Sequence, residues 1–255
     1  MPLASPAVKV RDLRKVYGEG ANAKAAVDGL SLTVPRGSFF GFLGPNGAGK
    51  TTTIKMLMGL AAPTAGEIEL LGLPMPERAL EIKQQIGLVP DDTLLFDHLT
   101  GGEFLEFTGR VYGLSRQVAR ERTRELLDLF ELSAAPRKMI REYSKGMRKR
   151  TAMAASLIHR PQLFLMDEPF EGVDAVGARM MKDLLADQVR RGATIFLTSH
   201  VLEVVERLCD HIAIINAGKI VAEGPTEDLR GLGTLEDAFV RAVGVDHQRE
   251  VLEWL

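Results

Sequence analysis

The chain has 255 residues, of which 45% are hydrophobic and 26% charged, the composition of an ordinary globular protein with one large domain or two small ones. The net charge of −2 gives no general reason to expect nucleic acid or an anionic membrane as a partner. The single cysteine, Cys209, excludes an intramolecular disulfide and suits a reducing compartment. The first ten residues lack the pattern of a signal peptide, and the longest uncharged run, 37–49, is too short to cross a bilayer. We therefore expect a cytoplasmic protein that reaches a membrane only through a partner.

Short apolar runs between turn residues predict strands in the amino-terminal part of the chain. They lie at 8–10, 30–34, 38–43, 66–72 and 86–89. From about residue 100 the apolar spacing becomes helical. Thr100 and Glu103 form a capping box for one helix, and two more helices are predicted at 116–132 and 145–159.

Strand-like runs then resume, and the chain closes with a small helical appendix. The strands are predicted at 162–166, 193–198, 211–215 and 219–222, and the appendix around 235–243. Helix-rich sequence is thus inserted into an alternating strand–helix pattern. This order predicts an α/β fold with a mainly parallel core sheet and an inserted helical subdomain.

Residues 44–52, Gly-Pro-Asn-Gly-Ala-Gly-Lys-Thr-Thr, match the phosphate-loop pattern G-x-x-x-x-G-K-[ST] between an apolar run and a helix-compatible run. Glycines let backbone N–H groups converge on phosphate oxygens, and the following helix N-terminus favours negative charge. Lys50 is expected to reach the β- and γ-phosphates, and Thr51 to offer its hydroxyl to Mg²⁺. The predicted nucleotide contacts are Gly44, Pro45, Asn46, Gly47, Ala48, Gly49, Lys50, Thr51 and Thr52. We therefore expect this chain to bind a nucleoside triphosphate.

Two carboxylates, Asp167 and Glu168, follow the apolar run 162–166. Asp167 can hold the Mg²⁺ shell, and Glu168 can orient or deprotonate the water that attacks the γ-phosphate. An acidic pair after a strand is also typical of a solvated turn. The phosphate loop upstream favours the catalytic interpretation.

In this order the motifs resemble those of the ATP-binding subunit of ABC (ATP-binding cassette) transporters, over nearly the whole chain. Residues 143–147, Tyr-Ser-Lys-Gly-Met, stand in the place of the family signature LSGGQ, which Ser144 and Gly146 match and the other three do not. Taken alone, Ser144 is simply a good helix N-cap. The resemblance implies that this helix start acts on the γ-phosphate bound by a second, opposing subunit.

The same resemblance implies roles for three further positions. His200, after the run 193–198, is similar to the switch histidine that contacts the γ-phosphate and positions the water. Gly172-Val173-Asp174 resembles the D-loop, in which Asp174 helps to connect the two subunits' sites. Tyr17 corresponds to the aromatic residue that stacks on adenine. The implied ligands are therefore ATP and Mg²⁺.

Asp91 departs from the family pattern, because a glutamine that touches Mg²⁺ or the attacking water usually occupies its place after the strand 86–89. An aspartate still offers oxygen to Mg²⁺, although it is shorter and adds negative charge. Asp91 alternatively only starts a turn. The basic cluster within residues 137–150 is interpreted as a solvated helix face or a phosphate-facing surface.

The resemblance implies a phosphate-loop NTPase (RecA-like) α/β core sheet with an antiparallel β subdomain and an inserted α-helical subdomain. We expect a core of 1–93 and 161–224, a helical subdomain of 94–160 and an appendix of 225–255. The implied function is ATP hydrolysis that drives a separate permease on the inner face of the cell membrane. The expected partners are this permease and a second ATP-binding subunit, identical or different.

The combination of the Pro-Asp-Asp segment, Leu99-Thr100-Gly101, the signature and the short chain resembles the ATPase subunits of bacterial export systems. A soluble ABC ATPase acting on a ribosome or on nucleic acid is the alternative, although no nucleic-acid partner is expected. One phosphate loop, no heptad array and one cysteine argue against it. A phosphate-loop kinase is a third interpretation, against which the signature-like segment and His200 argue.

Overall fold

The computed structural model of the protein describes residues 5–92, 95–231 and 233–244. The strands are β1 (Val8–Tyr17), β2 (Lys24–Val34), β3 (Phe39–Leu43), β4 (Ala65–Leu70), β5 (Leu73–Met75), β6 (Ile86–Val89), β7 (Leu163–Asp167), β8 (Thr194–Ser199), β9 (His211–Asn216) and β10 (Lys219–Pro225). The α-helices are α1 (Lys50–Leu57), α2 (Ala79–Lys83), α3 (Gly101–Val111), α4 (Arg116–Leu129), α5 (Lys145–Leu157), α6 (Ala175–Arg190), α7 (Leu202–Leu208), α8 (Thr226–Arg230) and α9 (Leu235–Val243).

The larger sheet has the strand order β10-β9-β3-β8-β7-β6. Its strands pair in parallel except for the edge strand β10, which is antiparallel to β9. Strands β3, β7 and β8 are buried along their whole length, as a parallel sheet covered on both faces requires. The predicted α/β fold with a mainly parallel core is confirmed. Leu43, Asp167 and Ser199 end these three strands at the same edge of the sheet, where ligands of open α/β sheets bind.

The smaller sheet is antiparallel, with the order β2-β1-β4-β5, which confirms the predicted antiparallel subdomain. Its apolar side chains share a buried core with α1 and one face of the larger sheet. Strand β1 continues well past the predicted run 8–10. Asp12 has a φ of +46°, and the pairing with β2 shifts between Val10 and Leu13. This irregularity breaks the alternation of side chains, which explains why the pattern identified only the start of the strand.

Helices α3, α4 and α5 pack on the other face of the larger sheet. Phe104, Phe130 and Met153 from this helical part share a core with Phe164 and Met166 of β7. The predicted capping box is present, since the Thr100 hydroxyl accepts a hydrogen bond from the Glu103 backbone N–H and a Glu103 carboxylate oxygen accepts one from the Thr100 N–H. The inserted helical part of the predicted fold is thus confirmed.

Some boundaries differ from the predictions. Helix α4 ends at Leu129 rather than at residue 132, because Glu131 takes a φ of +54° that cannot continue the helix. Helix α5 stops at Leu157 rather than residue 159. The short elements β5, α2 and α8 were not predicted. The expected boundary between residues 93 and 94, the start of the expected core at residues 1–4 and the part of the appendix beyond residue 244 lie outside the described residues.

Candidate functional site

The phosphate loop connects β3 to α1 and takes a shape that only glycine permits at two positions. A Cβ on Gly44 would lie 2.4 Å from the carbonyl oxygen of Ile215, and one on Gly49 would lie 2.5 Å from that of Ala26. Gly49 also has a φ of +116°, a conformation that side-chain-bearing residues rarely adopt. The loop is therefore held closely against β9 and β2.

Lys50, the first residue of α1, is buried beneath this loop. Its ammonium donates hydrogen bonds to the carbonyl oxygens of Gly44 at 2.7 Å and Pro45 at 3.3 Å. Burial lowers the pKa of Lys50, and the carboxylates of Glu168 and Asp167 oppose that shift. The same two carboxylates therefore help to keep the ammonium charged and able to hold phosphate oxygens.

Thr198 on β8 connects the two carboxylates that follow β7. Its hydroxyl donates to Oδ1 of Asp167 at 2.5 Å, and the backbone N–H of Glu168 donates to the same hydroxyl at 3.2 Å. Asp167 is buried, with 2% of its surface exposed. Glu168 has a left-handed backbone with a φ of +46°, a conformation that costs about 1–3 kcal/mol. Pairing with β8 thus holds the strained turn that carries Glu168.

His200 follows β8 and contacts Glu168, with 3.0 Å between His200 Nδ1 and Glu168 Oε1. The side chain of Glu168 is 13% exposed, whereas that of His200 is 53% exposed. A histidine at this distance fixes the direction of the Glu168 carboxylate. The predicted base and the predicted switch histidine are thus brought together.

Asp91 follows β6 and faces the same space, with 49% of its side chain exposed. Partial burial raises the pKa of Asp91, the neighbouring Lys149 opposes this, and Asp167 and Glu171 add to it. The ammonium of Lys149 lies 3.9 Å from Asp91 Oδ1 and is itself 1% exposed. The expectation that the basic cluster is a solvated face is therefore wrong for Lys149, which points inward from α5.

These side chains surround a cavity of about 550 Å³. The predicted residues that line it are Asn46, Gly47, Gly49, Lys50, Thr51, Thr52, Asp91, Asp167, Glu168 and His200. Gly44, Pro45 and Ala48 do not line it; Gly44 and Ala48 are buried, and the carbonyl oxygens of Gly44 and Pro45 accept hydrogen bonds from Lys50. Glu171 also lines it and was missed by the sequence reasoning, which considered only the first two carboxylates after β7.

Tyr17 lines an adjoining cavity of about 400 Å³ that shares Ala26 and Gly47 with the first. Its ring is half-exposed, and the ammonium of Lys15 lies 5.1 Å from the ring centroid. The predicted aromatic residue is thus next to the phosphate loop and open to a planar ligand.

Ser144, Gly146 and Asp174 line neither cavity within one chain. The Ser144 hydroxyl caps α5 by accepting from the Met147 N–H at 3.2 Å, and Asp174 Oδ1 caps α6 by accepting from the Gly177 N–H at 2.8 Å. The latter hydrogen bond lowers the pKa of Asp174. Both residues are therefore helix caps, and neither contacts the predicted nucleotide site of its own chain.

The donors around the cavity fit Mg²⁺. Thr51 supplies a hydroxyl and Asp167 and Asp91 supply carboxylates, and Mg²⁺ characteristically takes one or two carboxylates with the rest of its shell from phosphates and water. Within the described ranges, no group of three or more His, Cys, Asp or Glu side chains could enclose a metal on its own. The set therefore suits a cation that arrives with a nucleotide.

Comparison with known proteins gives the family. The profile of the family described as ABC transporter matches residues 27–171. The chain is 44% identical over 229 residues to an ABC transporter ATP-binding protein of Nostoc sp. (strain PCC 7120), covering 88% of this chain and 68% of that relative. It is 40% identical over 222 residues to the Nod factor export ATP-binding protein I of Cupriavidus metallidurans (87% and 72% covered). It is also 40% identical over 244 residues to the daunorubicin resistance ATP-binding protein DrrA3 of Streptomyces coeruleorubidus (95% and 76% covered).

Solved structures agree with this assignment. An ATP-binding subunit of an ABC transporter superposes with a TM-score of 0.84 at 30% identity, covering 92% of this chain and 98% of that one. A dimeric ATP-binding cassette bound to ADP and Pi, at 24% identity and a TM-score of 0.80, shares the fold. No helix among the described residues has the length and apolar character needed to span a bilayer. The chain belongs to the ABC transporter family, as an ATPase subunit of the kind that its motifs predicted.

Proposed function

We propose that this ATPase works as one half of a head-to-tail pair of subunits and drives a separate membrane permease in the direction of export. The observation that carries the proposal is the separation of Ser144 and Gly146 from the cavity that holds Lys50, Glu168 and His200. In one chain the signature segment has no nucleotide to act on. A second chain placed head to tail would bring its own signature segment to this cavity.

Within that pair, Lys50 and the backbone N–H groups of the phosphate loop bind the β- and γ-phosphates of ATP. Thr51, Asp167 and Asp91 would hold Mg²⁺, which when bound supplies positive charge against the charge of the phosphates. Glu168 orients the attacking water and accepts its proton. His200 holds Glu168 in that orientation through the 3.0 Å contact.

Tyr17 would stack on the adenine, since its cavity adjoins the phosphate site. Any base can stack on an aromatic ring, so this contact would add to the affinity for a nucleotide but contribute little specificity for adenine.

The partner's α5 would complete the site. Its amino-terminal turn, with Ser144 at the cap and Gly146 in the first turn, presents unpaired backbone N–H groups and the positive end of the helix dipole. Lys145 adds positive charge at the same end. The substitutions in the signature therefore preserve its ability to attract the γ-phosphate of the opposing subunit, while Asp174 would connect the two sites.

An apolar surface of the helical part supports a permease as the partner. Phe96 and Phe107 are exposed and their ring centroids lie 5.4 Å apart, and Val111 is exposed on the same helix as Phe107. Clustered exposed aromatic residues mark interaction surfaces. A helix of a permease covering this cluster would keep the chain on the inner face of the membrane, close to the loop that carries Asp91.

The direction of transport is inferred from relatives. Proteins named for Nod factor export and daunorubicin resistance are 40% identical to this chain, and the first of these names states export. We propose export for this chain, and the division 1–93 with 161–224, 94–160 and 225–255 as its domain organisation. The relatives do not favour the soluble ribosome- or nucleic-acid-associated alternative.

Mixed dimers test the paired site. Chain X carries Ser144→Arg and keeps its phosphate loop, whereas chain Y carries Lys50→Ala and keeps its signature, and the two chains carry different affinity tags. Only the site formed by the loop of X and the signature of Y is then intact. We expect each homodimer to be inactive and the purified X–Y pair to regain about half of the wild-type rate, one of two sites. An inactive pair, with both chains folded, would sink the shared-site proposal.

The permease is tested separately by purifying the tagged wild-type chain from solubilised membranes and identifying the integral proteins that accompany it. Export is then measured in inverted vesicles, where it appears as ATP-dependent uptake. Co-purification of ribosomal or DNA-repair proteins alone would favour the soluble alternative.

A further inference from the structure

Lys149 is a buried cation at the junction between α5 and the loop after β6. Its ammonium donates hydrogen bonds to the backbone carbonyl oxygens of Asp91 at 3.0 Å and Pro90 at 3.3 Å, and lies 3.9 Å from Asp91 Oδ1. Only 1% of the residue is exposed. Burying a lysine is unfavourable unless its charge is paired and its donors are satisfied. The three oxygens of this loop meet both needs, so the loop and α5 are held together by one side chain.

The two ends of this contact belong to different nucleotide sites. Asp91 lines the cavity of its own chain. Ser144 lies five positions before Lys149 at the start of the same helix, about 7.5 Å along the axis. In the proposed pair, Ser144 serves the nucleotide of the opposing subunit. Lys149 therefore connects the nucleotide site of its own chain, at Asp91, to the segment that completes the site of the opposing subunit, at Ser144.

A second contact between the same helix and the core is weaker. The Lys145 ammonium lies 2.6 Å from Glu171 Oε1, but both side chains are largely exposed, and exposed ion pairs contribute little. Lys149 makes its contacts from a buried position, whereas Lys145 and Glu171 are both exposed to solvent. Apolar packing of residues such as Met153 holds the body of α5, and of these two polar contacts with the cavity that of Lys149 is the more buried.

We propose that Lys149 is a positioning residue that fixes the signature segment, which acts in one nucleotide site, relative to the Asp91 loop, which lines the other. This inference rests on the proposed two-subunit site. The hydrogen bonds of the Lys149 ammonium hold the carbonyl oxygens of Pro90 and Asp91 against α5, and so set the position of this loop relative to the start of the helix. Without the ammonium, the Asp91 loop loses this polar contact with α5, and the signature segment loses part of what fixes its approach to the opposing nucleotide.

The X–Y pair described above separates this role from local support of Asp91. Lys149→Met placed in chain Y affects only the subunit that supplies the signature to the intact site. Placed in chain X, it affects only the subunit that supplies the phosphate loop and Asp91. We expect the substitution in chain Y to lower kcat/KM of the pair by about tenfold. A lysine that merely supports its own Asp91 loop would act in chain X alone.

Arg122→Met in chain Y is the matched control. Arg122 on α4 donates to the carbonyl oxygen of Ile158 at the other end of α5, 2.6 Å away, so its loss loosens the same helix without touching the Asp91 loop. We expect this pair to stay within about twofold of the X–Y reference. Two results would overturn the proposal. One is an equal fall in kcat/KM with Arg122→Met; the other is a kcat/KM within about twofold of the X–Y reference when chain Y carries Lys149→Met.

A measurement independent of turnover uses Glu168→Gln chains, which should bind ATP without hydrolysing it quickly. Adding Lys149→Met should raise the ATP concentration needed for dimerisation in gel filtration by about tenfold, while the affinity for a fluorescent ATP analogue in EDTA changes by less than about twofold. Unchanged dimerisation contradicts the proposal. If Lys149→Met does not fold, Lys149→Gln, which retains a donor, is measured in the same chains with an expected fall of about threefold. An inactive X–Y reference would instead refute the proposed function, and the inference with it.

Discussion

The hydroxyl of Thr198 donates a 2.5 Å hydrogen bond to Oδ1 of Asp167, and these two residues are direct partners in the parallel pairing of β7 with β8. The same hydroxyl accepts the backbone N–H of Glu168. One buried side chain therefore fixes the direction of the proposed metal ligand and the turn that carries the proposed base. The consequences of removing it can be measured.

Replacing Thr198 with valine keeps the shape of the side chain and removes the hydroxyl. Asp167 loses its donor in a buried place, and an unsatisfied buried group costs about 1–3 kcal/mol. We expect the free energy of unfolding in urea to fall by that amount and kcat to fall by about tenfold or more, with ATP affinity in EDTA nearly unchanged. Thr198→Ser, which keeps the hydroxyl, is the control. Wild-type kcat in the valine variant would show that Thr198 positions neither carboxylate.

Glu168→Gln keeps the size of the side chain and its contact with His200 but removes the ability to accept a proton. Hydrolysis should fall by about a hundredfold or more, in the range that general-base removal produces. ATP binding should persist, and the variant should accumulate as a dimer when ATP and Mg²⁺ are present. Gel filtration with and without ATP checks this. A monomer at saturating ATP would count against the shared site.

Asp91→Asn removes one negative charge from the proposed Mg²⁺ site and keeps an oxygen at the same position. We expect the Mg²⁺ concentration for half-maximal activity to rise by about three- to tenfold, and ATP affinity measured in EDTA to change by less than about twofold. Asp92→Asn, at the exposed neighbouring position, is the matched control. An unchanged Mg²⁺ titration in the Asp91 variant would support the alternative in which this residue only starts a turn.

His159 provides a prediction about pH. Burial lowers the pKa of His159 from 6.5 to about 4, while its contact with the Ile86 carbonyl opposes the shift and Arg122 adds to it. Below pH 6.5, His159 becomes protonated in the unfolded chain but stays neutral in the folded chain. The free energy of unfolding therefore falls as the pH decreases toward 4. Between pH 7.5 and 5 this loss is about 1–2 kcal/mol, allowing for partial exposure of the ring.

The measurement is urea unfolding of the wild type and His159→Gln across that pH range. The glutamine variant loses the stacking of His159 on Tyr112, whose centroids are 3.6 Å apart, and should be less stable at pH 7.5. Its stability should nevertheless depend less on pH than that of the wild type. If the free energies of unfolding of the wild type and His159→Gln change with pH in parallel, His159 has the same pKa in the folded and unfolded states, which would contradict the prediction.

The residues of the site could be predicted from the sequence where they belong to a motif of neighbouring residues. The phosphate loop, Asp167, Glu168 and His200 each follow a buried strand, and parallel strands bring such ends together. Thr198 was named only as part of its strand, because its role depends on the register that places it opposite Asp167. Lys149 was interpreted with its neighbours as part of a solvated or phosphate-facing surface, because nothing local distinguishes it from the basic residues around it. Its burial depends on where the loop after β6 lies, and only the tertiary structure gives that.

The close approach of Gly44 and Gly49 to the backbone of β9 and β2 has a consequence for the thermodynamics of binding. A loop held this tightly by the core keeps its conformation without a ligand, so the nucleotide meets a preorganised cradle and little backbone entropy is lost on association. Calorimetry of ATP binding to a single subunit should therefore show a small heat-capacity change. The large change should appear only when two subunits close, because that is the step in which extensive surface is buried.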